Sequence, residues 1–176
     1  MVKRDSGDGV ELDINDVIRE VLALVHDELQ TNQIVVVSDL ANELPQLEAN
    51  RVQLQQVLLN LITNAADAME SITDRERLLK VGSGKDDSVG IVITIEDSGS
   101  GIAQENIDRI FDPFFTTKSE GMGLGLSICR SIIQAHEGRL LASRRNPYGS
   151  VFRVFLPAGE PRGLSHSAIA GGPWRP

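Results

Sequence analysis

Between residues 10 and 158 the apolar positions switch repeatedly between a period of three to four and a period of two. Val17, Ile18, Val21, Leu22 and Val25 fall at helical spacing, and Asp13 or Asn15 offers a capping oxygen, so the pattern predicts a helix over 13–30. A β-branched run at 34–37 predicts a short strand. Asn50 then opens a longer amphipathic stretch, a predicted helix over 50–71 that at 1.5 Å per residue is about 30 Å long. Alternation predicts strands at 79–82 and 91–97, with Gly82-Ser83-Gly84-Lys85 read as a tight turn between them. A loop rich in Gly, Phe and Thr follows, with a short helical stretch near 103–110. A helix over 123–135 and strands over 138–143 and 150–156, joined by Asn146-Pro147-Tyr148-Gly149, complete the pattern. Helices and paired strands in this order predict an α/β class, a two-layer sandwich whose one mixed sheet is packed on one side by three main helices. The expected domain is 10–158. Residues 1–9 and 159–176 are polar or rich in Pro, Gly and Ser without periodicity, and are expected to be a flexible and a disordered tail, the second holding the lone Trp174.

Charge narrows the function. Lys plus Arg number 17 against 25 Asp plus Glu, a net charge of −8, which opposes binding to nucleic acid or to an anionic membrane. One cysteine, Cys129, excludes an internal disulfide framework or a multi-cysteine zinc site and fits a reducing compartment. No apolar run reaches the roughly 18 residues needed to span a bilayer, and the first residues lack the apolar stretch of a signal peptide. Aromatics are scarce, yet Phe111, Phe114 and Phe115 crowd into one loop.

Three local patterns carry candidate chemistry. On the helix over 50–71, Leu54, Val57, Leu58, Leu61, Ile62, Ala65 and Met69 form the core stripe, and beside it run Gln53, Gln56, Asn60, Asn64 and Asp67. A solvated face usually carries Lys and Glu. Asn and Asp are poor helix formers, so their side-chain oxygens point to a task such as binding Mg²⁺. At the end of the strand over 91–97, Asp97 shares a face with Ile91, Ile93 and Ile95, which aims a carboxylate at the helix layer, where it needs a partner. Either it starts the turn Ser98-Gly99-Ser100-Gly101, or it accepts a hydrogen bond from a ligand amino group. The run Gly121-Met122-Gly123-Leu124-Gly125-Leu126-Ser127 leads into a helix, an arrangement that frees backbone N–H groups for phosphate. It is not a Rossmann fingerprint, since Leu126 stands three after Gly123 and no strand precedes it. Nor is residue 79–86 a P-loop, since Leu79 and Asp86 stand where Gly and Ser or Thr are required.

Taken in order, Asn60-x-x-x-Asn64-Ala-x-Asp67-Ala, Asp97-x-Gly99-x-Gly101, Phe111-Asp-Pro-Phe-Phe-Thr-Thr-Lys118 and Gly121-x-Gly123-x-Gly125-Leu-Ser127 resemble the N, G1, F and G2 boxes of the ATP-binding domain of bacterial sensor histidine kinases. This is the superfamily of gyrase, Hsp90 and MutL. The likeness covers residues 11–157 and implies the Bergerat ATP-binding fold, with ATP and Mg²⁺ as cofactors. It implies Asn64 as the Mg²⁺ ligand, Asp97 as acceptor of the adenine amino group, and Gly99, Gly101 and Ile102 as the adenine pocket. Ser150, on a strand face with Phe152, Val154 and Leu156, reaches the adenine side. Residues 111–122 would be a lid over the phosphates, and Gly121, Gly123 and Gly125 would bring N–H groups to the triphosphate. ATP contacts are further expected from Asn60, Asp67, Phe115, Thr116, Thr117, Lys118, Met122, Leu124 and Leu126. Lys118 is the lid cation for the γ-phosphate. Many members carry Arg where this chain has Thr116.

Within this superfamily, hydrolysing members carry Glu four residues before the Mg²⁺ Asn. Asn60 stands there, and an amide cannot take a proton from water. With Asn60 and Lys118 as the catalytic pair, the resemblance implies transfer of the γ-phosphoryl group to a histidine on a separate dimerisation and histidine-phosphotransfer domain. The other partners implied are ATP or ADP and a downstream response regulator receiver domain; neither nucleic acid nor membrane contact by this domain is expected. The location implied for this domain is cytoplasmic, whether or not the full-length protein is anchored in a membrane. His26, His136 and His166 lack the following Pro-Leu of the phosphoacceptor motif and read as structural or solvated. The alternatives are a Mg²⁺-dependent ATPase of the same superfamily and a degenerate nucleotide-binding docking module.

Overall fold

A computed structural model describes residues 9–118 and 121–158. The expected tails, with His166 and Trp174, lie outside them except for Gly9, as do Ser119 and Glu120 of the expected lid. The elements in chain order are β1 Val10–Leu12, α1 Ile14–Leu24, α2 His26–Thr31, β2 Ile34–Leu40, β3 Leu47–Ala49, α3 Arg51–Met69, β4 Arg77–Asp86, β5 Gly90–Asp97, α4 Gly125–Ala135, β6 Arg139–Arg144 and β7 Ser150–Pro157. Five strands form one sheet in the order β2-β4-β5-β7-β6, with β2 parallel to β4 and the other pairs antiparallel. The helices pack on one face of this sheet, the predicted two-layer sandwich. Ile91, Ile93, Ile95 and Asp97 of β5 turn inward and are buried, whereas Val92, Thr94 and Glu96 lie half-buried on the outer face.

Helix starts follow local chemistry. Asp13, rather than Asn15, caps α1, its carboxylate accepting from the Asn15 N–H at 2.8 Å. Asn50 caps α3 through the Gln53 N–H at 3.1 Å. The Asn50 N–H in turn donates to Nε2 of His136 at 3.1 Å, while Nδ1 of that ring sits 2.8 Å from the Ile132 carbonyl. The ring thus accepts at Nε2 and ties the end of α4 to the start of α3, the structural reading of His136.

The structure corrects four boundaries. The single helix expected over 13–30 breaks at Val25 (φ −97°, ψ 4°), a kink that lets both Val25 and Leu29 turn into the core. The segment Gly82-Ser83-Gly84-Lys85 is strand, not turn, because β4 pairs along both edges, Gly82 with Asp39 and Thr94 and Gly84 with Val92. Ladder bonds on two sides override glycine's poor strand preference. The turn comes later, where the Asp86 carboxylate accepts from the N–H groups of Ser88 and Val89. The helical stretch expected at 103–110 shrinks to a 3-10 turn, Gln104–Asn106, and the last helix begins at Gly125, two residues later than predicted. The pairing of β1 with β3, each three residues long, has no periodic signal at that length.

Asn50→Ala removes the α3 cap and is expected to lower unfolding free energy by about 1 kcal/mol, measured by urea denaturation; an unchanged midpoint would show that the cap does not hold the helix.

Candidate functional site

The site grows from α3. Leu54, Val57, Leu58, Leu61, Ile62, Ala65, Ala66 and Met69 are buried. The adjacent stripe sinks toward its centre: Gln53 and Gln56 are exposed, Asn60 and Asn64 half-buried, and Asp67 exposed again. The amide of Asn60 meets α4, its Nδ2 lying 3.6 Å from the Cys129 sulfur. Burial pushes the Cys129 thiol up to about 11, against the hydrogen bond from Asn60, so at neutral pH it is an uncharged neighbour. One turn along, Asn64 and Asp67 meet the loop that follows β5. Nζ of Lys118 donates to Oδ2 of Asp67 at 2.5 Å and to Oδ1 of Asn64 at 3.4 Å. One cation and two oxygen-bearing side chains, more than fifty residues apart in sequence, thus occupy one place.

Asp97 closes β5 on the inner side and is 1% exposed. Oδ2 accepts from the Ser150 hydroxyl at 2.5 Å, and Oδ1 from the Gly99 N–H at 2.8 Å and the Ser150 N–H at 3.4 Å. Burial raises its pKa above the ordinary carboxylate value, opposed by those hydrogen bonds and by the charge of Arg145. Two glycines are dictated by close approach. A Cβ on Gly99 would lie 2.5 Å from the Ala68 carbonyl oxygen of α3, and one on Gly149, at φ +93°, would lie 1.8 Å from the Asp97 carbonyl oxygen. The Ser100 N–H donates to the same Ala68 carbonyl at 3.0 Å, which ties the loop after Asp97 to the end of α3. Gly101 approaches the Gly149 carbonyl, and Ile102 packs against the core.

The aromatic loop divides. Phe111 is buried edge-on to Phe152, with centroids 6.4 Å apart, and pins the loop. Phe114 is 75% exposed, Phe115 lies under the Arg109 guanidinium, and Thr116, Thr117 and Met122 are exposed. The Thr116 hydroxyl accepts from the Lys118 N–H at 3.0 Å, and Gly121 approaches that hydroxyl closely. The Phe114 N–H donates to the Gly123 carbonyl at 2.9 Å, joining the loop's root to the glycine run. At the start of α4, no side chain caps Leu124, so the N–H groups of Gly125, Leu126 and Ser127 lack a capping acceptor. A Cβ on Gly125 would meet nothing within 4 Å, so this helix end faces open space. The Leu126 side chain packs on the core.

Asn64, Asp67 and Lys118 are therefore one cluster, with Asn60 one turn back along α3 against Cys129, and Asp97, Gly99, Gly101 and Ser150 a second; α3 touches both. Two concavities lie elsewhere, one of about 260 Å³ over Gly82 and Gly84 on the outer sheet face and one of about 380 Å³ beside Ile72 and Arg77. Neither contains any residue that the sequence singled out for chemistry, so side-chain chemistry locates the site better than cavity size does. Sequence reasoning missed Gly149, whose only signal was its place in a turn just before Ser150. It also missed Arg75, which has no local signal and bonds the carbonyls of Ser98 and Gly99.

Known proteins share this fold. The family described as histidine kinase-, DNA gyrase B-, and HSP90-like ATPase matches residues 49–160. The sensor protein TdiS of Thauera aromatica is 35% identical over 145 residues, covering 82% of this chain and 26% of that protein. The C4-dicarboxylate transport sensor protein DctS of Rhodobacter capsulatus is 37% identical over 166 residues, covering 90% and 24%. The chain thus spans about a quarter of the length of these relatives. Among solved structures, the nucleotide-free catalytic domain of histidine kinase ThkA superposes with a TM-score of 0.74 at 37% identity, covering 85% of this chain and 95% of that one. ThkA in complex with the response regulator protein TrrA superposes at 0.72 with 34% identity, covering 86% and 42%.

Asp97→Asn tests the cost of the buried carboxylate. Because the folded pKa is raised above the ordinary 3.8, the unfolded chain ionises first, and wild-type stability declines as pH rises from that value through the folded one. The variant lacks this decline. Its melting temperature without ligand is expected to match wild type near pH 3 and to equal or exceed it at pH 7; a variant less stable at pH 7 than at pH 3, relative to wild type, would reverse the sign.

Proposed function

We propose that this chain, which belongs to the family of histidine kinase-, DNA gyrase B- and HSP90-like ATPases, binds Mg·ATP and transfers the γ-phosphoryl group to a histidine on a separate dimerisation hairpin, as in two-component signalling. The observation that carries this reading is the meeting of Lys118 with Asn64 and Asp67. A positive charge beside hard oxygen donors is the combination that a bound triphosphate and its metal ion need, and this supports the reading. Phosphoryl transfer asks a protein chiefly for positioning and charge neutralisation, and these groups supply them.

The donor set fits Mg²⁺, which takes oxygen ligands, keeps several waters and shares the phosphates, and so needs few protein ligands. Among the described residues no group of three or more His, Cys, Asp and Glu could form a fuller metal cage. Asn64 would hold the ion, with Asp67 beside it; when bound, the ion supplies Lewis-acid neutralisation of the phosphate oxygens. Asp97 accepts from the adenine amino group, and its hydrogen bonds from Ser150 and Gly99 direct its oxygens and oppose the rise in pKa that burial causes. The uncapped start of α4, with Gly121, Gly123 and Gly125, offers N–H groups to the phosphates. Residues 111–122 act as the lid, with Phe115, Thr116, Thr117 and Met122 on it and Leu124 and Leu126 at the start of α4 beside the phosphates. On nucleotide binding Lys118 exchanges Asp67 for the γ-phosphate. The acceptor imidazole nitrogen attacks Pγ, the bond to the bridging oxygen breaks, and ADP leaves. Asn60, half-buried against the Cys129 thiol, has no basic atom to activate water, which favours transfer over hydrolysis.

The phosphohistidine is passed to a receiver domain in this reading, in line with the ThkA–TrrA complex. Among the described residues no helix is long and apolar enough to cross a membrane, which is in keeping with a domain working in the cytoplasm.

Calorimetric titration with ADP and Mg²⁺ tests the binding half. Asp97→Asn is expected to weaken ADP by more than about tenfold, the loss of a hydrogen bond to a charged acceptor, and Asn64→Ala to remove the dependence of affinity on Mg²⁺. Equal affinities in wild type and Asp97→Asn would sink the adenine assignment. Mixing the chain with its matching helical hairpin and γ-labelled ATP is expected to label one histidine, and hydrolysis without labelling would overturn the kinase reading.

A further inference from the structure

Arg75 lies between α3 and β4, outside every motif. A surface-loop arginine ordinarily extends into water, yet this side chain is only 21% exposed while the neighbouring Asp74 is 69% exposed. Its guanidinium is fully engaged. Nε donates to the Ser98 carbonyl at 2.9 Å, Nη2 to the Gly99 carbonyl at 3.0 Å, and Nη1 to the Asp74 carboxylate at 2.9 and 3.1 Å. Its Cζ also stands 4.0 Å from the centre of the Tyr148 ring.

These contacts join the two segments that hold Asp97. Gly99, gripped through its carbonyl, is the residue whose N–H donates to Oδ1 of Asp97. Tyr148 directly precedes Gly149, whose backbone lies against the Asp97 carbonyl, and Ser150, whose hydroxyl holds Oδ2. One guanidinium thus hydrogen-bonds the loop on one side of the carboxylate and stacks on the turn at the other side.

We infer that Arg75 and Tyr148 form a clamp that fixes the direction of the Asp97 carboxylate and thereby sets selectivity for an adenine over a guanine base. Both are positioning residues: neither needs to touch the nucleotide. The inference rests on the reading of Asp97 as acceptor of the base amino group. Adenine presents an N–H₂ donor to that carboxylate, whereas guanine presents a carbonyl oxygen at the same ring position, which a carboxylate repels. Discrimination of this kind depends on the acceptor being held in place, because a carboxylate free to rotate can turn toward other donors and bring in water. Only Arg has the geometry for the clamp, since a lysine ammonium cannot bond both carbonyls and stack on the ring together.

The test is the ratio of ADP to GDP affinity, each titrated with Mg²⁺ on the 176-residue chain. A ratio taken on one preparation is insensitive to the fraction folded, so a merely structural role does not move it. Tyr148→Ala, Arg75→Ala and Arg75→Lys are expected to lower the ratio by about tenfold, one hydrogen bond's worth of orientation. Tyr148→Phe keeps the ring and is expected to preserve the ratio. If Arg75→Ala does not fold, Tyr148→Ala carries the test, its ring being half in solvent. Folded variants with the wild-type ratio overturn the clamp while leaving the nucleotide reading intact. A wild-type chain that binds ADP and GDP equally overturns both.

Discussion

The structure depends on α3 being packed along most of its length while leaving one flank uncovered. Eight of its apolar side chains are buried, and their positions fix the rotation of the helix about its axis. The neighbouring stripe is thereby aimed at the gap between α4 and the loop after β5. A rotation by one residue, about 100° on a helix, would turn Asn60 and Asn64 into the core or out into water. Packing and chemistry are two faces of one constraint: the apolar stripe sets the direction in which the amides point. The far end of the helix contributes through its backbone, since the Ala68 carbonyl receives the Ser100 N–H and lies against Gly99.

The second cluster shows how a folded chain tolerates a group that disfavours folding. Asp97 sits on a sheet face otherwise made of isoleucines, and its burial raises its pKa. A carboxylate in that position is costly unless satisfied, and among the described residues no basic side chain bonds to it directly. Two N–H groups and one hydroxyl, all drawn from the two adjoining turns, direct its oxygens. These donors are neutral, so they direct the carboxylate without pairing it with a cation as a buried salt bridge would.

Much of this was legible along the chain. The core stripe of α3, its cap at Asn50 and the inward face of Asp97 follow from spacing alone, because helix and strand periods are local properties of the backbone. The four motifs placed Asn64, Asp67 and Lys118 in one candidate site before any coordinates. What failed had a longer-range cause. Gly82 and Gly84 read as a turn because glycine is a poor strand former, but partners on both sides of β4 decided otherwise. Among the three phenylalanines, composition did not distinguish Phe111, which packs on Phe152, from Phe114, which faces solvent. His136 read as structural or solvated, and its partner, the Asn50 N–H far back along the chain, had no local signal.

By itself the sequence determined the main helices and strands and which residue types stand ready for chemistry, since capping, periodicity and the glycine run act within a few residues. Tertiary structure alone decided who meets whom. It put Lys118 on Asp67, Asn60 against Cys129, and Arg75 under Tyr148 while bonded to Ser98 and Gly99. Each of those pairs joins segments whose separation carries no local signal. Their meeting is enforced by the sheet order and by the burial of α3, which act through close packing of the whole domain.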